Sequence, residues 1–117
     1  MEWYKLLTPH LKEIAYKANT EMAWKREDAL KIVSILERNA YHVFGVDVWI
    51  ATNPGPTIPT PYVYDWAEGD SSSDRVAKSA AGFIAAFQWH PYDTVYSSTE
   101  PYFNIWAERA DSELRNR

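Results

Sequence analysis

The stretch "YHVFGVDVWIATNPGPTIPTPYVYDW", residues 41–66, decides how this chain folds. From Tyr41 to Ala51 the side chains alternate with a period of two: Phe44, Val46, Val48 and Ile50 point one way, Asp47 and Trp49 the other. That alternation predicts a strand. Pro54, Pro56, Pro59 and Pro61 follow, and none can donate a ladder hydrogen bond, so Thr52–Pro61 is expected to be an extended, polyproline-type loop. "YVYDW" then resumes the alternation, with Tyr62, Tyr64 and Trp66 on one face. The two strands are predicted to pair antiparallel across the loop.

Working outward, the period changes to that of a helix on the N-terminal side. In "TPHLKEIAYKA", residues 8–18, Thr8 is a suitable N-cap and Pro9 suits the first helical position. Leu7, Leu11, Ile14, Ala15 and Ala18 fall on one side, which predicts a helix ending at Asn19 and Thr20. "REDALKIVSILERN", residues 26–39, carries Ala29, Ile32, Val33 and Leu36 at helical spacing, with Glu27 and Asp28 complementing the dipole in the first turn. Asn39 is read as its left-handed stop.

On the C-terminal side, "DRVAKSAAGFIAAFQW", residues 74–89, predicts a third helix capped from Ser71–Ser73, with Val76, Ala80, Phe83, Ile84 and Phe87 inward. Residues 90–101 read as irregular, with room for a short strand at Thr94–Tyr96. "YFNIWAE", residues 102–108, predicts the last strand, Phe103 and Ile105 on one face and Tyr102, Asn104 and Trp106 on the other. Residues 109–117 are polar and expected to fray. The order of elements predicts an α+β fold: one domain over residues 1–117, a mostly antiparallel sheet of three to four strands, and helices packed on one face.

Composition narrows the function classes. With 12 basic and 16 acidic side chains the net charge is −4, and no basic face of the kind a nucleic acid backbone requires is visible. There is no cysteine, so disulfide frameworks and thiolate metal sites are excluded, and a reducing cytoplasm fits. No apolar run has the length of a signal peptide or a membrane span. His10, His42 and His90 stand in no metal-ligand spacing. The glycines at 45, 55, 69 and 82 are isolated and form no phosphate loop, and Ser71–Ser73 lack a nucleophile elbow. Asp47 and Asp65 on neighbouring strands form a carboxylate pair, a weak signal in any acidic two-stranded protein. Neither a catalytic set, a cofactor site nor a metal site is expected.

The local feature that stands out is acidic and aromatic. Asp65, Glu68, Asp70 and Asp74 precede the first base, Arg75, and Tyr62, Tyr64 and Trp66 lead into them. Tyr92 and Asp93 repeat the combination in the later loop. A solvated loop ahead of a helix explains the acids blandly. The functional reading is an interface, with Tyr and Trp as anchors and carboxylates steering a basic partner. Its candidate contacts are Tyr64, Asp65, Trp66, Glu68, Asp70, Asp74, Tyr92 and Asp93.

Residues 23–66 also resemble small immunity proteins of bacterial polymorphic toxin systems, including contact-dependent growth inhibition, and are most similar to the immunity protein 40 family. The resemblance is carried by "WKREDAL" at 24–30, "GVDVW" at 45–49 and "PGPTIPTP" at 54–61. It implies a cytoplasmic protein, a monomer or weak homodimer, that binds and blocks the C-terminal domain of one cognate toxin, often a nuclease. No contact residue carries over from the family. Two other readings remain at this point: a small enzyme or ligand-binding protein with its pocket between sheet and third helix, and an adaptor recognised through "PTIP" at 56–59.

Overall fold

A computed structural model of the chain describes residues 1–51, 57–65, 79–93 and 99–109. Among these, an α+β domain is built from a three-stranded antiparallel sheet, a small hairpin and short and long helices. A 3₁₀ turn, Glu2–Leu6, leads into α1, Pro9–Glu13, whose Thr8 cap accepts a hydrogen bond from the Leu11 amide. The expected long first helix stops there. Tyr16–Ala18 (β1) and Glu21–Ala23 (β2) instead form a hairpin around Asn19 and Thr20, with Asn19 at a φ of 58°. Asparagine tolerates that left-handed turn position better than most residues.

The second helix, α2, spans Arg26–Arg38, as its apolar spacing requires, and buries Ala29, Ile32, Val33 and Leu36. Its stop is one residue later than expected. Asn39 keeps a negative φ of −104° while its side-chain amide donates to the Ile35 carbonyl at 2.7 Å, and Ala40 takes the left-handed conformation, φ 62°.

Strand β3, Tyr41–Ala51, lies in the middle, between β4, Thr57–Asp65, and β5, Pro101–Arg109. Two irregularities re-aim its side chains. Val43 pairs with Ala107 and Gly45 with Trp106, so Phe44 is an extra residue in a bulge and is 36% exposed. Phe44 therefore does not share the inward face with Val46 and Val48, contrary to the simple alternation. The prolines give the second correction. Pro59 and Pro61 lie inside β4, not in a free loop: Pro59 pairs with Trp49, and the register breaks between there and the Asp47–Val63 pair. Proline is tolerated because β4 is an outer strand and the break absorbs Pro61. Thr57, Ile58 and Pro59 of the "PTIP" segment thus pair with β3 instead of forming a polyproline loop. Pro54 and Pro56 lie outside the described residues.

Helix α3, Ala80–Ala86, is shorter than expected. Ser79 is extended and caps it by accepting from the Gly82 amide, and Phe87 leaves the helix at its other end. Arg26 donates to the Ile84 and Ala85 carbonyls at 3.1 and 2.9 Å, so the start of α2 caps the end of α3. Arg109 is the last residue of β5, paired with Tyr41, and does not belong to a frayed tail; residues 110–117, like the proposed strand at 94–96, lie outside the described residues.

One face of the sheet supplies Val43, Val46, Val48, Tyr64, Phe103 and Ile105 to the main core, packed with Trp3, Leu11, Trp24, Ile32, Leu36, Ile84 and Phe87. Ile50 is buried outside that cluster. The other face is not left to solvent. Trp24 pairs with Phe103 through two backbone hydrogen bonds, which places the hairpin beside β5. Ala18 and Ala23 of the hairpin then pack on Trp49 and Tyr102, and Asn104 donates to the Met22 carbonyl at 2.8 Å.

Candidate functional site

Strand register decides what the uncovered part of this second face displays. Paired residues share a face, so Asp65, Gly45 and Trp106 form one row across the three strands, and Val63, Asp47 and Asn104 form the next. His42 and Glu108 pair further along the same face. The hairpin covers the end near Trp49 and Tyr102 and leaves the other end accessible. Val63 is 51% exposed there, Phe44 projects from its bulge, and Trp106 and Asp47 are half-buried. Trp106 Nε1 donates to Asp47 Oδ2 at 3.0 Å, which fixes the indole relative to the carboxylate. No lysine or arginine of the three strands falls on this face: Arg109 is on the opposite one, its guanidinium 5.9 Å from the Tyr41 ring centroid.

The candidate contacts expected from the sequence divide between two surfaces. Asp65 is exposed on the second face. Tyr64, one residue earlier, is 6% exposed and packs against Phe83 with ring centroids 5.7 Å apart, so it is a core residue and not an exposed anchor. Burial, then the charge of Asp65, raises its phenol above the ordinary 10.0. Tyr92 is 86% exposed on a turn, its ring 5.5 Å from that of His90. Asp93 accepts a 2.7 Å hydrogen bond from the Tyr62 hydroxyl, on the helix-facing side. Asp65 and Asp93 thus lie on opposite sides of the sheet. Trp66, Glu68, Asp70 and Asp74 lie outside the described residues.

Sequence reasoning missed the group formed by Asp47, Trp106, Val63 and Gly45. Its signal was present, since Asp47 and Trp106 both fall on the polar side of their strands. What it lacked was the register that makes them diagonal neighbours.

Depressions also lie elsewhere among the described residues. A cleft of about 320 Å³ opens beyond the end of α3, lined by Arg26, Phe87, Gln88, Trp89, His90 and Thr99 among others. Between α3 and the sheet itself, Tyr62, Tyr64, Phe83, Phe87 and Phe103 fill the space with ring contacts of 5.5–5.8 Å. A groove of about 400 Å³ between α1 and α2 is rimmed by His10, Lys31 and Arg38. Among the described residues no cluster of three or more His, Asp or Glu has the form of a metal site, and no helix is long and apolar enough to cross a membrane.

No protein-family model matches the chain, and neither a curated protein nor a solved structure does.

Proposed function

We propose that this chain is a cytoplasmic immunity protein that neutralises one cognate toxin domain by stoichiometric binding, without turnover. The observation that carries the reading is the uncovered part of the second sheet face. It combines exposed Val63 and Phe44 with the Trp106 indole and the carboxylates of Asp47, Asp65 and Glu108, and no strand lysine or arginine lies among them. Apolar and aromatic groups rimmed by one sign of charge suit a protein partner of the opposite sign. The rigid sheet beneath lowers the ordering cost of binding. The resemblance of residues 23–66 to polymorphic-toxin immunity proteins supports the same reading and supplies the partner class, a toxin C-terminal domain with a basic functional surface.

The test is co-expression with the cognate toxin domain. Cells are expected to survive toxin induction only when this protein is present, and the pair is expected to elute as a one-to-one complex. Survival that is independent of this protein, or the absence of any complex, would overturn the reading.

A further inference from the structure

Gly45 is the informative residue. It sits inside a strand, where glycine is destabilising because it has no side chain to pack and loses much backbone freedom on folding. Its backbone does not demand glycine, since its φ lies outside the left-handed region. Nor does packing: an added Cβ would meet Trp106 Cβ and the Tyr64 carbonyl at 3.6 Å each, ordinary van der Waals distances. The fold would accept a methyl group here, yet the position between Asp65 and Trp106 is left open. A strand glycine accompanies a bulge, as beside Phe44 here, and also leaves room for another group to approach the backbone.

What surrounds the opening specifies the group. On one side stands the Trp106 indole, anchored through its N–H to Asp47 Oδ2. That bond uses one oxygen of a carboxylate that can accept several, so Asp47 retains acceptor capacity. Asp65 contributes a second negative charge on the far side of Gly45.

A flat cation with many donors, no acceptor and an affinity for indole faces meets all three conditions. The ammonium of lysine offers charge without the planar fork. We propose that Gly45, Trp106 and Asp47 form a seat for an arginine side chain of a protein partner. The guanidinium lies against the indole and donates to Asp47, and its aliphatic stem passes over Gly45. This deepens the inhibitory reading above by naming the group that the partner inserts, and rests on that reading only for the partner's identity.

The chemistry is testable without the toxin. Acetyl-Gly-Arg-Gly-amide and its lysine counterpart are titrated into the isotope-labelled full chain. The indole N–H resonances of the 6 tryptophans are followed, with that of Trp106 identified by its loss in Trp106→Phe. The arginine peptide is expected to shift the Trp106 signal saturably and leave those of buried Trp3 and Trp24 in place. The lysine peptide is expected to bind at least about threefold more weakly. Asp47→Asn, close to isosteric, and Gly45→Val, which fills the opening, are each expected to raise the apparent Kd at least about fivefold. An unmoved Trp106 signal, equal binding of both peptides, or unchanged affinity in Asp47→Asn would overturn the proposal. If the arginine peptide binds as described while co-expression gives no protection, the seat stands and the immunity reading falls; protection without peptide binding does the reverse.

Discussion

Thr60 donates its hydroxyl to the Val48 carbonyl at 2.8 Å, and its oxygen in turn accepts from the Tyr62 amide at 3.1 Å. This side chain sits between two prolines, at the point where the ladder of β3 and β4 loses register. A buried hydroxyl supplies the donor that the neighbouring backbone lacks, and so a proline-containing segment can close onto a central strand.

Thr60→Val is therefore expected to destabilise the protein by about 1–3 kcal/mol, the cost of leaving a buried carbonyl unpaired. Thr60→Ser keeps the hydroxyl and is expected to lose only about 1 kcal/mol, the contribution of one methyl group. Urea denaturation of the two variants makes the comparison. Equal losses would show that the methyl, not the hydrogen bond, matters.

Ala40 gives a change of the opposite sign. Its left-handed φ of 62° follows the end of α2. That conformation costs an L-residue roughly 1–2 kcal/mol, and the greater freedom of unfolded glycine takes back about 0.4–1 kcal/mol. Ala40→Gly is expected to be stabilising by up to about 1 kcal/mol, measured as a raised denaturation midpoint at unchanged m-value.

Phe87 packs its ring within 4.9–5.8 Å of those of Tyr62, Phe83, Trp89 and Phe103, and is 6% exposed. Phe87→Ala is expected to cost about 3–5 kcal/mol. A loss below about 1 kcal/mol would mean that the segment after α3 is held by something other than this aromatic cluster.

Alkaline pH probes three phenols together. Burial raises Tyr4 above its ordinary 10.0, as it does Tyr64. Burial and then the neighbouring Tyr16 hydroxyl raise Tyr102 further. The unfolded chain therefore loses these protons first as pH climbs. The stabilising contribution is complete below pH 10 and is lost as pH rises toward the folded-state values. Stability measured by denaturant titration is expected to be flat with respect to these groups below pH 10 and to fall above it. Tyr102→Phe is expected to shallow that fall; an unchanged slope would remove Tyr102 from the account.

Asp65 and the acids that follow it in sequence are expected to act on encounter with a basic partner. Neutralising Asp65, Glu68, Asp70 and Asp74 together to Asn or Gln is expected to slow association with the toxin domain and flatten its salt dependence. The exposed Asp65 among them is expected to change stability by no more than about 0.5 kcal/mol. Rapid-mixing kinetics at two ionic strengths read the effect. Unchanged association would move the steering charges to Asp47 and Glu108.

Local chemistry made part of this protein legible without coordinates. α2 follows from Ala29, Ile32, Val33 and Leu36 at 3.6-residue spacing, and β5 from strict alternation around Phe103 and Ile105, because each pattern records its own element's geometry. The hairpin was not legible. Leu7, Leu11, Ile14 and Ala18 carry a helical spacing, and strands of three residues are too short to show a period of their own. Phe44 shows the same limit, since a bulge is a relation between two strands and leaves no mark in one. Alternation could place Asp47 and Trp106 on the polar side of their strands. Only the pairing of β3 with β5 made them partners, and only the landing of the hairpin on Trp49 and Tyr102 decided which half of that face stays open. Both are contacts between residues far apart in the chain, and their strength comes from register and burial that no local stretch of sequence contains.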